Sequence, residues 1–190
     1  FGFRCMKYLT PSPVDAEAAK PIPLGQPFPP LDAIKPCSDQ MFRAYLKLYE
    51  YAKSPLDPKV EDRQDWTRFT IYEKVSFDPA YIGDRMGAFI FLPKEGKKPF
   101  QTVIHWPGSG AQRVKAVLEY GPKDNWERLT KTRRAVVLPI LRGTFDRQYT
   151  PETKAKLTVQ ERNLMRVKDF MRTVDYLETR PEFDMKKLAY

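Results

Sequence analysis

Asp169-Phe170-Met171-Arg172-Thr173-Val174-Asp175-Tyr176-Leu177-Glu178-Thr179-Arg180-Pro181, followed closely by Lys187-Leu188-Ala189-Tyr190, sets a long helix, a break and a strand in direct succession. The helix starts upstream at Thr158-Val159-Gln160-Glu161, a capping box in which the threonine and glutamate satisfy each other's free backbone donors. Leu164, Val167, Phe170, Met171, Val174 and Leu177 then make an apolar stripe about three residues in seven wide, the width of a face packed on a core. Arg180-Pro181 ends it, because the residue before a proline is pushed out of helical dihedrals. The apolar run from Lys187 to Tyr190 reads as a parallel strand.

Working back toward the N-terminus, Ala135-Val136-Val137-Leu138-Pro139-Ile140-Leu141 and Thr102-Val103-Ile104-His105-Trp106 are nearly continuous apolar runs, as expected of strands covered on both faces. Between them lie a glycine loop, Gly108-Ser109-Gly110, and a helix expected over residues 124–132, opened by the capping spacing Asp124-Asn125-Trp126-Glu127. Strand, helix, strand predicts parallel pairing through a right-handed crossover. Further back, residues 68–77 alternate with apolar Phe69, Ile71, Val75 and Phe77, which predicts a strand with one buried face. Residues 84–92, closed by Pro93, read as its antiparallel partner, and residues 54–66 as a polar, proline-punctuated connection.

Met41, Phe42, Tyr45, Leu46 and Tyr49 repeat at helical spacing after a capping Ser38, so this helix is expected to dock its aromatic stripe on a sheet. Eight prolines within residues 10–36 remove backbone donors and favour extended geometry, a semi-rigid linker. Residues 1–9 alternate weakly and read as a terminal strand.

Composition narrows the class. The chain has 190 residues, 42% of them hydrophobic, enough to build a core. No apolar run approaches the roughly 20 residues of a membrane span. Two cysteines, Cys5 and Cys37, are too few for a disulfide framework and lack metal-ligand spacing. The net charge of +9 is spread along the chain, with small clusters at Lys131-Thr132-Arg133-Arg134 and within residues 94–98. Solvated surface charge accounts for that pattern, and no nucleic-acid partner is expected.

The segment from Asp169 to Tyr190 resembles the helix, loop and strand that lead into the nucleophile elbow of α/β-hydrolases, especially acetylxylan-esterase-like and dienelactone-hydrolase-like members. The resemblance covers residues 66–190 and also rests on the glycine loop and on Arg142-Gly143-Thr144, similar to the Arg-Gly-Thr loop after the fourth strand of these hydrolases. It implies an α/β fold, the first half of a hydrolase sheet with an antiparallel strand pair and then parallel strands with crossover helices, over residues 38–190. In that family the next residues would read roughly Tyr-Gly-x-Ser-x-Gly. The implied serine nucleophile, histidine base and carboxylate therefore belong to sequence after Tyr190, no catalytic residue is expected within the chain, and the fragment is expected to be marginally stable. Gly2-Phe3-Arg4-Cys5 also resembles the closing strand of formylglycine-generating-enzyme-like domains, found in some bacterial proteins between a Ser/Thr kinase and a hydrolase. That implies an upstream domain in the same polypeptide.

For chemistry, Pro107, Gly108, Ser109 and Gly110 lie where the resemblance places the oxyanion-hole loop, with the Ser109 backbone N–H as the donor and a small-molecule ester as substrate. Glycines there let main chain approach a substrate carbonyl. A plain strand-to-helix turn is the alternative. Arg142 reads either as a pocket-rim or loop-anchoring cation or as an exposed arginine at a strand end, and Asp146 and Tyr149 could share that rim. The lone histidine, His105, is expected to support the core or the loop. No metal site and no cofactor are expected. The competing class is a non-catalytic interaction or regulatory module of a multidomain signalling protein.

Overall fold

The computed structural model describes residues 31–121 and 123–190. The chain divides into residues 1–39 and residues 40–190. In the first unit the described residues hold a single 3-10 turn, Leu31–Ala33. The expected strand at residues 1–9 and the proline-rich residues 10–30 lie outside the described residues.

Helix α1 (Asp39–Lys47) forms where its spacing predicts. It does not dock as expected: Met41, Phe42, Tyr45 and Leu46 each keep about half of their surface exposed, and no residue of α1 is buried. The faces of the sheet are occupied by later elements, so this stripe has no sheet to cover.

Six strands form one mixed sheet: β1 (Lys59–Asp65), β2 (Thr70–Phe77), β3 (Met86–Pro93), β4 (Phe100–Ile104), β5 (Ala135–Ile140) and β6 (Phe183–Ala189), in the order β1-β2-β3-β5-β4-β6. Strands β1, β2 and β3 pair antiparallel in turn, and β3 is antiparallel to β5. Strand β4 is parallel to both β5 and β6, as the crossover pattern requires. Strand β1 corrects the reading of residues 54–66 as a connection. All seven of its residues are exposed and five carry charge, so it shows no apolar alternation. It is a charged edge, a device that discourages pairing with another chain.

Strand β2 also departs from expectation, because both of its faces are covered. Val75 and Phe77 enter one core, while Tyr72 enters the other beside Trp66, with ring centroids 4.8 Å apart. The two cores lie on opposite faces of the sheet. All eight residues of β3 are buried; Met86, Ala88, Ile90 and Leu92 point one way, Phe89 and Phe91 the other. Each large apolar side chain buried in this way contributes about 1.5–3 kcal/mol.

The helices after β4 are α2 (Val117–Tyr120) and α3 (Lys123–Thr130); those after β5 are α4 (Pro151–Lys156) and α5 (Val159–Glu178). Helix α3 begins one residue before the expected cap, so Asp124 lies inside it. It covers one face through Trp126, stacked 5.2 Å from Phe91. Helix α5 covers the other through Tyr176, stacked 4.8 Å from Phe77.

The capping box of α5 forms as read, with Thr158 and Glu161 bonded reciprocally. Its most buried residues, however, are Asp169, Arg172, Thr173, Tyr176 and Leu177. The apolar stripe runs alongside, with Leu164, Val167, Phe170 and Val174 half-buried and Met171 exposed. Polar side chains can take the innermost face because each is paired. Arg172, for example, donates to the carbonyls of Ser54, Pro55 and Asp78.

Candidate functional site

Val103 of β4 lies opposite Ala189 of β6, and Val136 of β5 opposite Val103. Because these strands are parallel, the loops that follow β4 and β5 and the tip of β6 share one end of the sheet. The loop after β5 leads to α5 and the loop after β4 to α3, on opposite faces. Such a divergence at the carboxyl ends of parallel strands opens the crevice where α/β sheets bind ligands.

After β4 the chain leaves the sheet through His105 and Trp106, both exposed, so the strand begins and ends two residues earlier than the apolar run suggests. Pro107 is buried, while Gly108, Ser109 and Gly110 are exposed. A 3-10 turn, Ser109–Gln112, follows with Gly108 at its N-cap in extended backbone. Gly108 donates its N–H to the Tyr120 hydroxyl at 2.8 Å, and its carbonyl accepts from Ala111 at 3.1 Å. Ser109 and Gly110 are the first two residues of the turn, where no preceding carbonyl is in position to accept. Among the described residues nothing accepts from either N–H. Trp106 and Tyr190 both pack on Phe170, with ring centroids at 5.6 and 6.3 Å.

His105 is not a core residue. Its Nε2 lies 3.5 Å from the Tyr120 hydroxyl, and its ring stands edge-on to Trp126 at 5.4 Å. Partial burial holds its pKa below the ordinary 6.5.

The loop after β5 is built differently. Asp169 of α5, fully buried, accepts from the Tyr81 hydroxyl at 2.8 Å, from the Arg142 N–H at 2.7 Å and from Arg147 Nη1 at 2.7 Å. Burial pushes the Asp169 carboxyl above the usual carboxylate range, opposed by the Arg147 cation and the two other donors. Burial also works against the Arg147 charge, but Asp169 and Tyr81 hold its pKa above the ordinary value. Arg147 donates further to the Ile140 carbonyl, so one guanidinium ties strand end, helix and loop together. Within this loop Gly143 sits at φ +86° and Phe145 at φ +50°. The left-handed backbone at Phe145 is held by buried packing of its ring against Phe89 and Tyr120.

Arg142 bonds Asp84 and lies over the Tyr149 ring at 5.4 Å, while its carbonyl accepts from Arg166 Nε at 3.0 Å. Asp146 pairs with Lys74 at 2.5 Å and lines a different cavity from Tyr149, so the two do not share a rim. Tyr149 instead lines a cavity of about 350 Å³ together with Gln112 from the turn after the glycine loop. Sequence reasoning missed Asp169, Arg147, Tyr81 and Tyr120. Only Asp169 carries a signal, an acid flanked by the stripe residue Phe170 and followed three residues on by Arg172. The partners of the others are set by contacts across 12 to 88 positions of sequence. Among the described residues no cluster of ligating side chains could hold a metal, and no helix is long and apolar enough to cross a membrane.

No protein-family model matches the chain, and no curated protein matches it by sequence. Solved structures do resemble it. A candidate acetyl xylan esterase from Bacteroides fragilis superposes with a TM-score of 0.63 at 13% identity, over 78% of this chain and 44% of that one. Acetyl xylan esterase 1 from Thermoanaerobacterium sp. gives 0.58 at 15% identity, over 80% and 50%. Glucuronoyl esterase from Solibacter usitatus gives 0.50 at 14% identity, over 77% and 50%. The chain thus spans half or less of the length of each of these proteins. At such identities the likeness speaks for the fold: the six-stranded mixed sheet with its crossover helices is a partial α/β-hydrolase fold.

Proposed function

We propose that residues 38–190 form the first part of a serine esterase-type α/β-hydrolase domain and supply its oxyanion loop. The Ser109 N–H is the donor, Pro107, Gly108 and Gly110 shape the loop, and the substrate is a small-molecule ester. The attacking serine, its histidine base and the orienting carboxylate fall to sequence after Tyr190, with the serine on the turn that follows β6. When that serine Oγ bonds to the acyl carbon, its proton passes to the histidine and the carbonyl π pair moves onto oxygen. The N–H of Ser109 is then positioned to stabilise the resulting oxyanion, an interaction stronger in the transition state than in the ground state. Arg142 contributes by anchoring the neighbouring loop at the rim.

The observation that carries this reading is the pair of N–H groups at Ser109 and Gly110. They are exposed, without an acceptor among the described residues, and at the same sheet end as the tip of β6. The solved structures named above, esterases by name, support the reaction class. Substitution of Ser109 by proline is a direct test, because it deletes the N–H but suits the first position of a helical turn and the extended backbone of Gly108 before it. In the polypeptide that extends through the serine, the carboxylate and the histidine, Ser109→Pro is expected to lower kcat for a chromogenic acetyl ester about 10²–10³-fold. Ser109→Ala, which keeps the N–H, should leave kcat unchanged. The chain ending at Tyr190 should show no turnover. Full kcat in Ser109→Pro, or a loss in Ser109→Ala matching that in Ser109→Pro, would remove Ser109 N–H from the role.

A second reading, an interaction module within a multidomain signalling protein such as a Ser/Thr kinase, is favoured by the exposed Met41, Phe42, Tyr45 and Leu46 of α1. A polypeptide carrying a residue other than serine on the turn after β6 would decide for it.

A further inference from the structure

We infer that the cavity between the 3-10 turn after the glycine loop and helix α5 is a binding site for a small oxyanion, a carboxylate or a phosphate group. Its wall carries three cations, Lys154 from α4 and Arg162 and Arg166 from α5, and no carboxylate. Among the described residues none of the three forms an ion pair, although the neighbouring Lys74, Arg142 and Arg147 all do. At about 350 Å³ the cavity admits a carboxylate or phosphate group with room for its hydration water or for more of the molecule that carries it.

The two guanidinium groups are fixed rather than free to swing. Arg162 Nη1 donates to the carbonyls of Lys154 and Leu157, and Arg166 Nε donates to the carbonyl of Arg142. A guanidinium has five N–H donors, so each fork keeps donors beyond those used as main-chain anchors. Preorganised forks of this kind match the oxygens of carboxylate and phosphate. Two amide side chains, Gln148 and Asn163, complete the wall, and Gln148 is held by its donation to the Val114 carbonyl.

The approach of Tyr149 and Arg166 is built into the backbone. At Gly143, φ +86°, an added Cβ would lie 2.4 Å from the Tyr149 ring and 3.1 Å from Arg166 Nη2, so only glycine lets these two walls close in. The same loop concentrates unmet polar groups. Arg142 Nε, Arg147 Nε and the Tyr149 hydroxyl are buried on it without a hydrogen-bond partner among the described residues. Three like charges around one concavity repel each other unless an anion joins them, and such a concavity focuses its field on an anion. The site stands apart from the esterase reading: it requires nothing of Ser109 and nothing after Tyr190.

The test is a titration of the chain with inorganic phosphate and, separately, with succinate, followed through the side-chain amide signals of Gln148 and Asn163 by NMR. Saturable shifts confined to the cavity residues are expected, absent when sodium chloride is added to the same ionic strength. Lys154→Gln should weaken binding several-fold and Arg162→Gln with Arg166→Gln about tenfold or more, the scale of charge-assisted bonds lost. Lys187→Gln, outside the cavity, should change nothing. Because Arg162 and Arg166 also anchor backbone, Lys154→Gln and Asn163→Leu decide the matter if the double variant does not fold. Linear, non-saturating shifts, or unaltered affinity in folded Lys154→Gln and Asn163→Leu, would overturn the assignment.

Discussion

The loops that follow β4 and β5 leave adjacent strands at the same end of the sheet, yet they are held by opposite means. The first is exposed from Gly108 to Gly110 and is pinned there by a single side-chain bond, from Gly108 to Tyr120. The second is cross-tied by the buried Asp169 and Arg147, by the half-buried Tyr81, and by left-handed backbone at Gly143 and Phe145. The contrast fits the proposed function, in which one loop presents donors and its neighbour is the brace. A loop that offers main-chain donors must leave them unpaired and open, so its own bonding is sparse. Its neighbour can then be rigid, and the position of the crevice is set by the braced side.

Breaking the brace should produce the largest effect. Asp169→Ala leaves the buried Arg147 cation and the Arg142 N–H without their acceptor, and removing one partner of a buried pair costs about 3–5 kcal/mol. Urea unfolding measures it, and a loss below about 1 kcal/mol would show that the ion pair is not what holds the loop. Gly143→Ala comes next. Left-handed backbone costs a residue with a Cβ about 1–2 kcal/mol, and displacement of Tyr149 adds to that. Its signature is a shifted Tyr149 ring resonance together with the lower midpoint.

The open loop should answer in the reverse sense. Ser109→Pro is expected to keep stability within about 0.5 kcal/mol of the parent, the range of exposed substitutions that break no cap or core contact. A larger loss would mean that the Ser109 N–H is part of the structure and not free for a ligand.

The smallest effect concerns His105. Partial burial lowers its pKa from the ordinary 6.5, so the folded state favours the neutral ring. Its contribution to stability is therefore present above pH 6.5 and is lost as pH falls through the depressed native value. As the chain has one histidine, its NMR titration is unambiguous, and a midpoint at or above 6.5 would contradict the packing against Trp126.

Elements whose neighbours are local were readable before any coordinates. The capping box at Thr158, the Arg180-Pro181 stop, the apolar β5 run and the antiparallel β2–β3 pair depend on contacts within a few residues or on period alone. The α1 stripe meets the same criteria and still stays exposed, because periodicity reports an amphipathic helix and says nothing about whether a surface is available to receive it. Strand β1 failed for the converse reason. Its charged residues have no strand signature, and its place is fixed by partners on β2, including the buried Glu73 that binds both Arg63 and Arg180.

The order of residues by itself determined the strand and helix sequence that makes a parallel crossover sheet, and with it the position of the glycine loop. Tertiary structure alone decided which face of α5 turns inward, where Asp169 finds its cation, and that three cations gather around one cavity. Local dihedral preference and apolar spacing act over a few residues and are written in the chain. Pairing of buried charges acts through space, between groups tens of residues apart, and exists only once the sheet has brought them together.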